Sequence, residues 1–307
     1  MTTVIISHPD CLLHDMGQGH PECPQRLSAI QDQLIASGLD MVLRHVEAPL
    51  AERQHLELVH DPDYIDRIFQ AAPAAGAQVQ IDPITIMNEH TLNAALRAAG
   101  AGVVAVDMLM SEKVSNAFCN VRPPGHHAQR DEAMGFCFFN NVAIAAAYAL
   151  ERYRLERVAI ADFDVHHGNG TEDIFREDAR VLYCSTFQHP FYPYTGTEPT
   201  TDHIVNVPLP VATKDAAFQQ AIIDHWLPPL NAFKPQLILI SAGFDAHIED
   251  DMAGLALTEQ SYEWVTRQIK NIAEKYAQGR IVSFLEGGYA LSALGRSVAA
   301  HISVLSE

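Results

Sequence analysis

The chain has 307 residues, about twice a usual single-domain length, so it accommodates one large α/β domain or two ordinary ones. Hydrophobic residues make up 48% and charged residues 19%, a globular balance that excludes wholesale disorder, and 17 glycines with 17 prolines exclude a collagen-like or low-complexity chain. The formal net charge of −18, with no Lys/Arg cluster, argues against a nucleic-acid partner and suits either plain solubility or attraction of cationic substrates.

Short β-branched runs alternate with helix-spaced patterns from the N-terminus onward. Val4–Ile6 predicts a first buried strand. Arg26–Ser37 predicts a helix, with Leu27, Ile30, Leu34 and Ile35 at helical spacing and Gly38 as its stop. The alanine- and leucine-rich stretch Thr91–Met110 predicts a second helix, and Ala117–Val121 the next strand. Strands follow at Val158–Asp162, Val181–Ser185 and Ile204–Val207. Then come a helix over Asp215–Leu230, a strand over Leu237–Ser241, a helix over Thr258–Ala277 with Thr258 as N-cap, and a strand over Ile281–Leu285.

These strands are almost continuously apolar, as in a parallel sheet covered by helices on both faces. No internal repeat, linker or composition shift divides the chain, so a single three-layer α/β/α domain over residues 1–307 is expected. The longest apolar run, Val142–Leu150, has nine residues, short of the ~20 that cross a bilayer. No signal pattern opens the chain, so a soluble cytoplasmic protein without a membrane partner is expected. Five cysteines (Cys11, Cys23, Cys119, Cys137, Cys184) include no C-x-x-C pair and predict free thiols.

Sixteen histidines nearly match the twenty lysines and arginines, and imidazole is the commonest metal ligand and acid–base group. Ligands of open α/β sheets bind beyond the carboxyl ends of the strands. Four predicted strands end there in ionisable or glycine-rich segments: Arg122-Pro123-Pro124-Gly125-His126-His127, Phe163-Asp164-Val165-His166-His167-Gly168-Asn169-Gly170, Ala242-Gly243-Phe244-Asp245-Ala246-His247 and Glu286-Gly287-Gly288-Tyr289. In an extended chain Asp162, Asp164 and His166 project to one side, and such a set needs a cation among its members. With Asp245 from another strand end, Asp164, His166 and Asp245 make an Asp2His set, three protein ligands with a fourth position open as in catalytic zinc sites. A solvated loop held by Gly168 and Gly170 is the competing reading.

Adjacent histidines on an extended segment diverge, so His126 and His127 share one pocket only if the Pro123-Pro124-Gly125 turn shapes the backbone. Asp162 and Asn169 are their nearest candidate partners. One carboxylate and one neutral amide would drive the two imidazole pKa values apart, the pattern that separates acid from base roles. A pair of surface histidines is the bland alternative. Tyr289, after two glycines, is placed to turn its phenol toward a developing oxyanion, or is an ordinary half-buried tyrosine.

Taken together, these segments resemble the zinc-dependent deacetylase family, which includes histone deacetylases, acetylpolyamine amidohydrolases and acetoin-utilisation proteins. The likeness adds His8-Pro9-Asp10, Gly19-His20-Pro21-Glu22 and Gly135-Phe136-Cys137-Phe138-Phe139-Asn140 to the segments above, in order along essentially the whole chain. The forms are closest to class II and bacterial members. The resemblance implies an arginase-like fold with an eight-stranded parallel sheet and one Zn2+ held by Asp164, His166 and Asp245. It implies His127 as general base and then acid, His126 paired with Asp162 as electrostatic support, Asn169 beside His127, and Tyr289 as oxyanion donor. Phe136 and Tyr192 match the walls of an acyl-lysine tunnel, flanked by Gly135 and Gly287; Met252 matches its rim, and Arg26 an arginine of the inner acetate-release cavity. A K+ ion is implied at Asp162, the backbone oxygens of Asp164, His166 and Thr186, and the Ser185 hydroxyl, and a second near Phe175, Asp178 and Val181. This sequence departs from the family pattern at Tyr194, where many members have glycine, at Asp251 in place of proline, and at Asn169 in place of a second carboxylate.

The expected activity is hydrolysis of the acetamide of acetyl-lysine in a protein or peptide. A small acetylated amine such as an acetylpolyamine is the alternative substrate; it wants a rim carboxylate where Met252 stands, although Glu249, Asp250 and Asp251 lie close by. A binding module without turnover would have lost a ligand or the tyrosine, and all are present. A two-metal ureohydrolase would want a bridging carboxylate where Asn169 stands. Fe2+ also suits an oxygen-rich site. Oligomeric state is open.

Overall fold

The computed structural model describes residues 3–307. Its strands are β1 (Thr3–Ser7), β2 (Arg44–Glu47), β3 (Gln78–Gln80), β4 (Ile86–Asn88), β5 (Asn116–Cys119), β6 (Val158–Asp162), β7 (Val181–Gln188), β8 (Ile204–Leu209), β9 (Leu237–Ala242) and β10 (Ile281–Leu285). β3 and β4 form a separate antiparallel hairpin. The other eight make one sheet in the order β2-β1-β5-β10-β9-β6-β7-β8, with every neighbouring pair parallel, as the family resemblance implied.

All residues of β5, β6, β7, β9 and β10 are buried, which is why their sequences are mostly apolar rather than alternating. The helices Thr91–Met110 and Asn141–Tyr153 pack together over one side of the sheet. Gln25–Ala36, Leu291–Ser306, Glu259–Tyr276 and Asp215–His225 pack in succession as the other helical layer. Thr91–Met110 is long and apolar enough to cross a membrane by length and composition, yet its surface is mostly buried inside this fold.

The expected helix over Asp215–Leu230 divides at Trp226 into Asp215–His225 and Leu227–Phe233. Pro228 and Pro229 are the reason: they lack the N–H a continuing helix needs but fit the first turn of a new one. Thr258 takes the N-cap position of Glu259–Tyr276, but its side chain makes no capping bond. Asp215 instead accepts from Thr258 N (2.9 Å), Thr258 Oγ1 (3.1 Å) and Ser261 Oγ (2.5 Å), tying two helix starts together. The strand expected over Ala117–Val121 lies over Asn116–Cys119, and β7 runs three residues beyond the expected Ser185. All five cysteines are free thiols.

A buried ion network fastens the N-terminal segment beneath the loop that follows β5. Glu22 accepts from both Arg122 Nε and Nη2, and from Arg26 Nη1 at 3.1 Å, while His14 Nε2 lies 3.3 Å away. Arg122 Nη1 also donates to the carbonyls of Cys11 (2.7 Å) and His14 (3.0 Å). Burial alone would raise the Glu22 carboxyl, but the charges of Arg122, His14 and Arg26 hold it well below the usual carboxylate range. Its contribution is therefore present above the unfolded pKa of ~4.3 and is lost as pH falls through the lower folded value. Glu22→Gln is expected to cost about 3–5 kcal/mol in urea unfolding at pH 7, since it leaves buried cations uncompensated. The gap to the native chain should narrow below about pH 4; a loss under about 1 kcal/mol would contradict this account.

Candidate functional site

β5, β10, β9 and β6 are consecutive in the sheet, so the four polar segments that follow them meet at one edge. β6 leads into Asp164 and His166, and β9 into Asp245. Each of the three offers a ligand atom within 4.8 Å of the others, and all are buried. Asp164 Oδ1 accepts from His166 N (2.9 Å) and lies 3.0 Å from His166 Nδ1, while Asp164 Oδ2 accepts from Gly287 N (2.8 Å). Asp245 Oδ1 accepts from Val165 N (3.0 Å), but its Oδ2, though 3.2 Å from His166 Nδ1, has no hydrogen-bond partner.

The electrostatics of this cluster ask for a cation. Burial, and then the charge of Asp164, push the Asp245 carboxyl up to about 6. Asp164 escapes its own burial only through His126 and His166, which hold it below the carboxylate range. Burial pushes His166 down, but Asp164 and Asp245 outweigh it and lift the imidazole to about 9. A divalent ion would neutralise both carboxylates and take the free Asp245 lone pair, so the donor set and its unsatisfied oxygen fit a metal. Asn169 is bonded elsewhere and does not belong to this cluster.

The histidine pair sits beside it, and neither ring is on the surface. The rings lie 4.1 Å apart between centroids with different partners. His126 Nδ1 lies 3.1 Å from Asp162 Oδ2, which also accepts from the Tyr183 hydroxyl at 2.9 Å. His127 Nδ1 lies 2.7 Å from Asn169 Oδ1. Donation to that amide oxygen places the proton on Nδ1 and leaves Nε2 as the lone-pair nitrogen. Burial lowers both imidazoles. At His126 the charges of Asp164 and Asp162 overcome it and raise the group to about 10. At His127 the neighbouring His126 and His166 add to it and hold the group well below the usual range. The two values are driven apart as the residue types suggested.

Glu286 holds the pair in place. Its Oε2 accepts from Gly125 N (2.7 Å) and His126 N (3.2 Å), and its Oε1 from Ser241 Oγ (3.1 Å). One buried carboxylate thus joins the ends of β10 and β9 to the loop after β5. In the sequence the only signal for this role is a carboxylate placed directly after a buried strand.

A cavity of about 130 Å³ opens onto the cluster, lined by His126, His127, His166 and Tyr289 together with Gly135, Phe136, Tyr192, Met252 and Gly287. Phe136 adopts φ +70°, uncommon for a bulky residue, and its N–H is held by Thr85 Oγ1 at 3.0 Å. Its ring meets Tyr289 edge-on at 6.1 Å, and Tyr192 meets His127 edge-on at 5.4 Å. Phe191, stacked on His166 at 5.5 Å, and Ile84, on the link between β3 and β4, also line it and were not anticipated.

Arg26 does not line this cavity. It lies behind Tyr289, its guanidinium 5.0 Å from the ring, donating to the carbonyls of Gly288 (2.7 Å) and Glu286 (2.5 Å). Tyr194 has φ +64°, which accounts for a glycine preference at that position, and its ring is 71% exposed rather than in the cavity.

Residues 20–305 match the histone deacetylase domain family. The chain belongs to the histone deacetylase family. It is 38% identical over 299 residues to a probable deacetylase of Archaeoglobus fulgidus, covering 95% of this chain and 82% of that protein. It is 37% identical to the histone deacetylase-like amidohydrolase of Pseudomonas aeruginosa, over 88% of this chain and 73% of that one. It is 35% identical to the human polyamine deacetylase HDAC10 over 99% of this chain, which spans 48% of the human protein. Among solved structures, the HDA15 HD domain superposes with a TM-score of 0.93 at 34% identity, over 99% of this chain and 88% of that one. The family makes this chain a hydrolytic deacetylase, an amidohydrolase.

In this deacetylase Gly287 is fixed by close approach: a Cβ there would stand 1.9 Å from Asp245 Oδ2 and 2.6 Å from Asp164 Oδ2. Gly287→Ala is expected to lower deacetylase kcat/KM by about 10²-fold or more by displacing these carboxylates. Steady-state assay of the folded variant checks this, and retention of near-native activity would contradict the close packing described.

Proposed function

We propose that the chain is a zinc-dependent deacetylase that hydrolyses the acetamide of Nε-acetyl-lysine in a peptide or protein, releasing acetate and free lysine. The observation that carries the proposal is convergence. His166 of the Asp2His cluster, the divided histidine pair and Tyr289 all face one aromatic-walled cavity that Met252 also lines. Asp164, His166 and Asp245 would hold the ion. When bound there, zinc supplies Lewis acidity toward the amide carbonyl and lowers the pKa of water.

The chain's own groups account for the proton traffic. His127, kept neutral and with Nε2 unprotonated, accepts the proton of the attacking water and then passes it to the leaving amine. His126, cationic against Asp162 and Asp164, stabilises the negative charge that develops nearby. Burial, and then the Asp245 charge, push the Tyr289 phenol well above its usual range, so it keeps its proton for donation to the tetrahedral oxyanion. The rings of Phe136 and Tyr192 grip the four-carbon stem of lysine while its backbone stays outside.

A potassium ion beside Asp162 is supported by the Ser185 hydroxyl, which is buried without a hydrogen-bond partner on the residue paired with Asp162 across β6 and β7. The second site near Phe175, Asp178 and Val181 has less support. The Phe175 carbonyl already accepts from Asp178 N (3.0 Å) and faces His203 Nε2 at 3.1 Å, and the Asp178 side chain is bound to Arg180.

A small acetylated amine is the second reading. Of the three acidic residues before Met252, Asp250 is buried and bonded to backbone N–H groups, and Glu249 pairs with Arg296 at 2.5 Å. Asp251 alone is exposed without an ion pair among the described residues, and it favours this reading. The zinc-loaded enzyme should cleave an acetyl-lysine peptide at least about ten-fold faster, in kcat/KM, than N8-acetylspermidine, because no carboxylate stands at the rim position of Met252. Met252→Glu should narrow that ratio. A native preference for the polyamine would overturn the substrate assignment. Asn169→Asp places a charge at the His127 Nδ1 contact and should raise the acidic limb of the kcat/KM profile by about 1–3 pH units, since the base then protonates more readily. An unmoved limb would contradict the role given to His127.

A further inference from the structure

Asp250 is a buried carboxylate that the chemistry above leaves unused. It follows Asp245 by five residues and is 5% exposed, between the exposed Glu249 and Asp251. Its Oδ2 accepts from Tyr289 N at 2.6 Å and Ala290 N at 2.9 Å. Its Oδ1 accepts from Met252 N at 3.0 Å. One side chain therefore joins the segment carrying the phenol to the residue at the cavity rim.

That junction matters because the segment before Tyr289 is built for freedom. Gly288 immediately precedes Tyr289 and sits at φ +122°, a region open to glycine. Against this freedom the protein sets two clamps. Arg26 holds the Gly288 carbonyl and backs the Tyr289 ring from within. Asp250 holds the Tyr289 and Ala290 N–H groups from the rim side. The Asp250 loop is itself anchored, since Asp250 N donates to the His247 carbonyl at 2.9 Å and Glu249 is fixed by Arg296.

We propose that Asp250 is a positioning residue that fixes Tyr289 and the rim residue Met252 through one carboxylate, coupling the geometry of the cavity mouth to that of the oxyanion donor. This rests on the reading of Tyr289 given above. Asp250 touches neither substrate nor reacting atoms; it acts through the two backbone segments it joins.

The test is a double-mutant cycle on the metal-loaded enzyme with an acetyl-lysine peptide, combining Asp250→Ala and Tyr289→Phe. Asp250→Asn serves as a variant of equal shape in which one accepting oxygen becomes a donor. Tyr289→Phe should lower kcat by about 10²-fold. Asp250→Ala should lower kcat by about 10- to 10²-fold when Tyr289 is present and by less than about 2-fold in the Tyr289→Phe background, because the lost contact then has no phenol to aim. Asp250→Asn should fall between native and alanine. Through Met252, KM should rise for both Asp250 variants in either background. Losses in kcat that multiply independently overturn the proposal while leaving the oxyanion role intact. An unchanged kcat in Tyr289→Phe alone overturns that role, and the proposal with it. If the alanine variant does not fold, the same cycle run with Asp250→Asn decides the matter by the same criterion.

Discussion

Two carboxylates and an imidazole are packed against one another where water barely reaches, and this arrangement sets the terms for the rest of the molecule. Asp164 and Asp245 are 1% exposed and His166 7%. Burying like charges in contact is costly unless a cation stands between them, and burial together with the Asp164 charge pushes the Asp245 carboxyl up. The surrounding fold keeps the three in register. Gly287 has no side chain because one would strike both carboxylates, and the backbone N–H groups of Val165, His166 and Gly287 hold Asp245 Oδ1 and both Asp164 oxygens in place. Such backing orients ligands as effectively as the ligands themselves define the site.

The sheet supplies the convergence. Because β5, β10, β9 and β6 are neighbours, four segments far apart in sequence reach one edge. Polar side chains then lock those segments to one another. Glu286 joins three strand ends, Asp250 joins the loops after β9 and β10, and Glu22 with Arg122 anchors the turn that presents the histidines. The difference between the histidines follows from their partners: the same ring faces carboxylates in one case and a neutral amide beside two imidazoles in the other.

Much of this could be read in the sequence, for definite physical reasons. A strand buried on both faces has few polar positions, so β6, β7, β9 and β10 stood out as nearly continuous apolar runs, and the polar segments that follow β6, β9 and β10 marked the site edge. β2 did not, because an edge strand reading Arg44-His45-Val46-Glu47 faces solvent and carries no apolar run. The Asn141–Tyr153 helix stands out in the sequence only as the apolar run Val142–Leu150, since a helix buried on most sides loses its periodicity; Asn140, which caps Ala143 N at 3.1 Å, is the signal of its start. Phe191 and Ile84 were missed because no local pattern tells which rings and aliphatic chains a folded loop turns inward. Asp250 looked like one of three surface acids, and only its burial and three N–H contacts separate it from Glu249 and Asp251.

The central claim concerns the Asp164–His166–Asp245 centre, and diffraction addresses it without reference to activity. Anomalous scattering measured above and below the zinc edge, on crystals of zinc-equilibrated protein, should show a single strong peak per chain bonded to one atom from each of these residues, and Asp245→Ala should abolish it. A peak located elsewhere, two peaks at the centre, or the three side chains drawn apart with no scatterer between them would contradict the account.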